Sequence, residues 1–389
     1  MSTPRIPRSH IIYTIAIIGF IYTLHLVIPM YSNSSFLSLF ADERTVGFIY
    51  MIGSALSILG FLFTPHLIRR VGNYTASLWL VCIQILLLCV LVTASDPIII
   101  IIAFVLQYAV VSLIGFTLDL FLEAYTNGIH VGKIRGLYTA TLNASWVIAP
   151  LLGTMLINGN YNYHNTYVAA LAMLFPLLYL IYRNFPRFKD PKYDHPSPLQ
   201  LVRHIGSDAN WVRLFSVNTI LQTFYAWMVI YSPIYLNTVI GFTWEDIGII
   251  LVIMLIPFPL IQYPLGVMSD KIGEKKIMSW GFAIMGISTI ALALITAKSV
   301  IIWAIFLFIT RVGAASAEIM IESYFFKKVS LKDAPILGAF RITRPISYFL
   351  APLITGIGLM FTTHEYVFVL VGLFCFVAIY PIIMMREVK

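Results

Sequence analysis

A guanidinium and two carboxylates recur at helical spacing late in the 389-residue chain: Arg311, Glu318 and Glu322, separated by 7 and 4 residues. On an α-helix those intervals put all three on one face. Asp119 and Glu123 repeat the acidic part of the pattern in the first half, and Arg341 and Arg344 follow in the second. All seven lie within or at the edge of long apolar runs, where ionisable side chains are costly and by default carry function. A guanidinium there can hold an anion through two parallel hydrogen bonds. A carboxyl there can be a paired or neutral structural group, or a group that exchanges protons. For Asp119 and Glu318 both readings stay open, with Arg344 the partner that decides the state of Glu318. Arg311 either contacts a bound anion or pairs with Asp119 or Glu318 in a charge relay. Glu123 and Glu322, near Arg70, Arg135 or Lys332, read as a structural or gating ion-pair network that Arg341 can join.

The elements that must position these charges follow from composition. The chain is 60% hydrophobic and 11% charged, with a mean hydropathy of +0.89. A soluble domain is roughly 45–50% apolar and about 25% charged, so a soluble enzyme, a disordered tail and a disulfide scaffold are excluded. Crossing a bilayer takes about 20 apolar residues. Six such runs lie near 11–31, 46–68, 74–94, 98–122, 136–157 and 164–184. Six more lie near 211–238, 247–268, 277–297, 299–325, 336–360 and 364–385. They lack barrel alternation, so the expected fold is an all-α integral membrane protein with 12 transmembrane helices. The polar, Pro-rich stretch 185–210 separates an N-terminal bundle, 1–184, from a C-terminal one, 211–389. At 1.5 Å per residue, Arg311 falls near the bilayer midplane and Glu318 about 10 Å to the inner side. The first apolar stretch has no small-residue cleavage site and reads as an uncleaved helix.

The formal charge of +8 comes from 25 Lys+Arg against 17 Asp+Glu. With both termini placed in the cytoplasm, 20 of the 25 basic residues fall on the inner side. Only Arg44 and Lys298 fall outside, and Arg311, Arg341 and Arg344 lie in the spans. Basic residues mark cytoplasmic loops, so the surplus is orientation and not a nucleic-acid footprint. A multi-pass protein of the cell membrane is expected.

The halves repeat one another. Val46-Gly47 opens the second span and Ile247-Gly248 the eighth; 25 residues after each glycine stands another, Gly72 and Gly273. Glu123-Ala-Tyr125 matches Glu322-Ser-Tyr324, and Ala149-Pro150 matches Ala351-Pro352, at offsets of 199 and 202. Near-constant offsets point to a duplicated six-helix unit. The prolines read as inherited bending points.

The loop after the eighth span, Gly266-Val-Met-Ser-Asp270-Lys271-Ile-Gly273-Glu-Lys275-Lys276, resembles the signature G-x-x-x-D-[RK]-x-G-x-[RK]-[RK] of the major facilitator superfamily. The equivalent first-half loop, Pro65-His66-Leu-Ile-Arg69-Arg70-Val-Gly72-Asn73-Tyr74, departs from it: the acid is replaced by Arg69 and the trailing basic pair is lost. The resemblance implies two pseudo-symmetric six-helix bundles and a secondary transporter working by alternating access. It also implies gating roles for Asp270, Lys271, Gly273, Glu123, Glu322 and Arg341, and a cavity lined by spans 1, 4, 7 and 10. Independently of the family, Asp270 can accept from N–H groups at a neighbouring helix N-terminus. Gly273 permits the reversal, and Lys275 and Lys276 anchor at the anionic inner leaflet.

Tyr22 and His25 on span 1, Gln107, Tyr108 and Ser112 on span 4, and Asn218, Gln222, Tyr225 and Tyr231 on span 7 join Arg311 as candidate substrate contacts. His25 also fits a hydrogen-bonded packing role, and the tyrosines fit the core or an interfacial belt. A small-molecule substrate, protons exchanged through Asp119, Glu318 and Arg344, the lipid bilayer and a functional monomer complete the expectation. Organic-anion or nutrient symport and proton-coupled export both fit, and a receptor-like or enzymatic polytopic protein is the alternative. There is no phosphate-binding glycine loop, no H-E-x-x-H and no G-x-S-x-G, so no cofactor, metal or catalytic residue is assigned. Cys82, Cys89 and Cys375 lie in apolar runs and read as packing residues.

Overall fold

The computed structural model describes residues 8–126, 131–157, 162–186, 188, 190, 198–328, 334–361 and 364–386. All twelve apolar runs fold as helices. In chain order these are α1 (Arg8–Met30), a short α2 (Asn33–Leu37), α3 (Glu43–Val71), α4 (Asn73–Thr93), α5 (Pro97–Thr126), α6 (Val131–Ile157) and α7 (His164–Asn184). After α8 (Pro198–Ser207) come α9 (Ala209–Ile234), α10 (Trp244–Leu255), α11 (Pro257–Ile272), α12 (Glu274–Leu292), α13 (Val300–Lys328), α14 (Ala334–Phe361), α15 (His364–Val377) and α16 (Ile379–Met384). Among the described residues, nine helical stretches are long and apolar enough to cross a membrane. The other three runs form α6, α12 and α14 without meeting that test.

Proline decides where spans break. The eighth run is two helices, because Pro257 cannot donate to the preceding turn and becomes the first residue of α11. The twelfth run likewise divides between α15 and α16, with Pro381 in the first turn of α16. A π-helical turn, Tyr235–Val239, extends α9 just past Pro233. Pro150 and Pro352, expected to bend their helices, sit inside the continuous α6 and α14.

The chain divides into two compact units, Met1–Ser32 with Leu56–Tyr193, and Asn33–Ala55 with Asp194–Lys389. In the first, α1 packs on α6 and α7, and α4 on α5 and α7. In the second, α9 packs on α14, α15 and α16, and α12 on α13 and α15. The pairing of corresponding helices is therefore the same in both. The second unit includes α2 and the start of α3 because α2 packs on α9 and Gly47 lies against Tyr231 and Pro352.

The repeat is also written in the backbone. Gly72 (φ 82°, ψ 154°) and Gly273 (φ 83°, ψ 149°) share one left-handed conformation between corresponding helices. Only glycine adopts it without strain. Between α12 and α13, small residues set the distance: a Cβ on Gly281 would stand 2.7 Å from the Gly313 carbonyl oxygen. Backbones packed this closely are the usual device of membrane helices, where lipid gives no hydrophobic drive to association.

Candidate functional site

In the first unit the candidate polar residues are spent mainly on joining helices. The Tyr22 hydroxyl donates to the Val111 carbonyl at 2.7 Å, tying α1 to α5. His25 is buried, with Nδ1 3.1 Å from the Ala170 carbonyl and Nε2 3.3 Å from Gln84 Nε2. The Gln84 amide also donates to Gln107 Oε1 at 3.1 Å. If both Gln84 N–H groups donate in this way, Nε2 of His25 is the acceptor and Nδ1–H the donor, which specifies a neutral ring. Four elements, α1, α4, α5 and α7, thus meet in one buried polar network. Tyr108 stacks on Phe104 at 6.3 Å, and Asp119 is half-buried on α5.

The second unit assembles a different centre. Arg311 on α13 is 2% exposed. Its guanidinium carbon lies 5.6 Å from the Phe224 ring centroid and 5.4 Å from that of Tyr225, both on α9. These cation–π contacts shelter the charge without consuming a donor. Nε and Nη2 are both buried and, among the described residues, have no hydrogen-bond partner. These two nitrogens form one edge of the planar guanidinium, the edge that meets a carboxylate or phosphate with two parallel hydrogen bonds. The Tyr225 hydroxyl is also buried, within hydrogen-bonding reach of Glu318, and its ring lies 6.1 Å from that of Phe258.

Glu318 is half-buried two turns along α13 and lies within electrostatic reach of Glu322, Arg311, Tyr225 and Arg344. Arg344 is exposed, its guanidinium 5.9 Å from the Tyr348 ring; Arg341 is half-buried and Glu322 exposed. Asn218 donates to the Thr343 hydroxyl at 2.8 Å, and Gln222 is half-buried one helical turn away. The expected α13 charge stripe, Tyr225 and Arg344 are therefore gathered in one place. Tyr22, His25, Gln107, Tyr108 and Asp119 belong to the other unit and are described with it.

At the junction of α11 and α12, Gly273 takes the expected reversal, while the side chains of Glu123, Asp270 and Lys271 lie outside the described residues. Arg135 and Lys332, named as possible partners of Glu123 and Glu322, lie outside them too. The ordered charges are neighbours that the motif does not name. Glu274, buried at 6% exposure, accepts from Lys327 at 2.5 Å and from Ser323 at 3.2 Å. Lys328 pairs with Asp208 and lies over the Trp211 ring at 4.8 Å. Lys328 bonding holds the Asp208 carboxyl below its ordinary range, assisted by the N–H of Asn210 that it caps. Lys275 departs from its expected role as a leaflet anchor: its ammonium donates to the Ile383 and Met385 carbonyls at 2.9 and 2.7 Å. It closes the C-terminal end of α16, whose last carbonyls have no partner within the helix. Lys276 stays exposed.

In the first-half loop, which lost its acid, Asp190 from the connecting stretch accepts from the Asn73 N–H through both oxygens at 3.1 Å. It supplies an anion to the N-terminus of α4, where the helix dipole favours one.

Sequence reasoning missed Gln84, Thr343, Phe224, Glu274 and Asp190. Gln84 carried a signal, as a polar amide deep within an apolar run. Glu274 carried another, standing 201 residues after Asn73, the residue that occupies the same place in the first half. Phe224 carried none, since one phenylalanine among 27 is unremarked until a cation is found on its face.

A family model for the Major Facilitator Superfamily matches residues 15–256 and, in a second alignment, 230–388. The chain belongs to the major facilitator superfamily. Its fold is that of solved superfamily members. The nucleoside transporter NupG aligns with a TM-score of 0.74 at 13% identity, over 96% of this chain and 98% of that one. A mutant of NupG aligns with a TM-score of 0.76 at 12% identity, over 96% of this chain and 99% of that one. An auto-inhibited POT family peptide transporter gives 0.74 at 12% identity and 96% coverage of both chains. At these identities the likeness is one of fold. No curated protein matches the sequence. Membership makes this superfamily chain a multi-pass membrane transporter of a small molecule.

Proposed function

We propose that this protein is a secondary active transporter whose substrate carries an anionic group held by Arg311. The observation that carries the reading is the buried guanidinium edge, with Nε and Nη2 unpartnered among the described residues and aromatic rings beside the charge. A buried ionic donor without an acceptor costs more than the 1–3 kcal/mol of a neutral one, so its retention fits a ligand that supplies the acceptor. Two bundles, 1–184 and 211–389, joined by 185–210, rock about this level to expose it alternately. Both termini face the cytoplasm, and the functional unit is the monomer in the cell membrane. Asp119 and Glu318 exchange protons with each cycle, Arg344 biasing Glu318, while Asp270, Lys271, Gly273, Glu123, Glu322 and Arg341 serve the cytoplasmic gate. Tyr225, Gln222 and Asn218 line the substrate's neighbourhood in the second unit. Tyr22, His25, Gln107 and Tyr108 act from the first.

The test is flux in proteoliposomes under an imposed proton gradient, against a panel of carboxylates, phosphates and their neutral analogues. Uptake or exchange confined to anions, lost in Arg311→Gln, supports the reading. Glu318→Gln or Asp119→Asn should abolish proton-driven flux while sparing exchange. Equal loss of neutral and anionic substrates in Arg311→Gln would refute the anion assignment, and coupled flux surviving both carboxyl changes would refute the proton carriers.

A further inference from the structure

The second unit contains a separate small cavity of about 120 Å³. Its wall includes Trp227, Tyr231 and Tyr235 of α9 and its π-helical extension, Phe368 of α15, and Glu43, the first residue of α3. The rings are held in a fixed arrangement. Trp227 stacks on Tyr231 at 6.2 Å, and Phe368 meets Trp227 and Tyr235 edge-on at 4.9 Å each. Glu43 lies within electrostatic reach of Tyr231.

The wall also carries two threonines. Thr238 and Thr355 both line the cavity, and each donates its hydroxyl hydrogen to its own helix, to Ile234 and Ala351 at 2.8 and 2.9 Å. Thr238 keeps lone pairs to offer, while Thr355 is also within hydrogen-bonding reach of the Tyr231 hydroxyl. Four aromatic rings and a carboxylate thus share one wall with the aliphatic Ile234, Val239 and Val367. Such a surface attracts cations, and aromatic faces favour weakly hydrated organic ones. Volume narrows the class: a cavity of about 150 Å³ accepts benzene, so this one takes a head group of about five or six heavy atoms. Trp227 adds a discriminating detail. Among the described residues its Nε1–H is buried without an acceptor, so a cation bearing a hydroxyl or ether oxygen suits this wall better than a bare alkylammonium.

We propose that this aromatic cavity, closed by Glu43, is a binding site for a compact methylated ammonium group. It is distinct from the Arg311 centre and does not depend on it. With the proposed orientation it lies toward the outer ends of α3, α9 and α15, where a cationic solute or head group arrives first.

The experiment is isothermal titration of the full-length protein in neutral detergent with choline and with 3,3-dimethyl-1-butanol, its uncharged carbon isostere. Saturable choline binding, at least 10-fold tighter than the isostere, is expected. Glu43→Gln and Phe368→Leu should each weaken choline by about 10-fold, and Arg311→Lys should leave it unchanged. Equal affinity for the two probes, no choline binding at millimolar concentration, or wild-type binding in Glu43→Gln would each overturn the site. The two-probe comparison uses the wild-type chain, so it decides the matter even if a variant fails to fold.

Discussion

Replacing Arg311 by Met separates a binding role from a structural one, because the two predict opposite signs for stability. Arg311 is 2% exposed and two of its nitrogens have no partner among the described residues. Removing one member of a satisfied buried ion pair costs about 3–5 kcal/mol, because it strands the other charge. Removing a charge that is itself short of partners, and filling its volume with an unbranched apolar chain, relieves a desolvation penalty. The cation–π contacts with Phe224 and Tyr225 offset part of that gain, at about 2 kcal/mol or less. Arg311→Met should therefore melt at or above the wild-type temperature in detergent without ligand. Transport moves the other way. Losing two charge-assisted hydrogen bonds, taken together at about 3 kcal/mol, is a loss of roughly 100-fold in apparent affinity for an anionic substrate. Arg311→Lys, which keeps the charge but not the planar fork, should fall between. The assays are thermal unfolding by intrinsic fluorescence and concentration-dependent flux in liposomes. A variant clearly less stable than wild type would sink the argument, since it would mean that Arg311 holds a structural relay together.

Other consequences are more local. Gly281→Ala drives a methyl group to 2.7 Å from a backbone oxygen and 2.9 Å from a backbone nitrogen on α13, so it should cost about 1–3 kcal/mol and lower the melting temperature. Gly206→Ala, with nothing within 4 Å, is the control and should be neutral or stabilising. Lys275→Ala should destabilise by about 1–2 kcal/mol by uncapping α16, whereas Lys276→Ala should be silent in the same melting assay. The Asp208 carboxyl is held below its ordinary value of 3.8 by Lys328, so its stabilising contribution is fully present above that pH. It disappears as pH falls through the lower folded-state value. The melting difference between wild type and Asp208→Asn, followed from pH 7 downward, should stay constant to about pH 4 and close below it. A difference that instead grew on acidification would contradict the pairing.

Much of this molecule is legible in one dimension, and the physical reason is the bilayer. Lipid offers no hydrogen bonds, so each apolar run long enough to cross had to be helical, and all twelve are. The duplication was equally legible: matched glycines 201 residues apart adopt one backbone conformation, because the left-handed turn admits little else. The charged stripe of α13 followed from helical periodicity alone. Tertiary structure decided what those side chains touch. Sequence named both His25 and Arg311 as candidate substrate contacts, and left His25 open to a packing role. Packing gave His25 partners on two other helices and left one edge of Arg311 without any among the described residues. It also turned Lys275 from a leaflet anchor into a helix cap, and drew Glu43 from a loop boundary into an aromatic cavity. Spacing along one helix determines which residues share a face, but partners on other helices, hundreds of residues away, are set by how the faces pack.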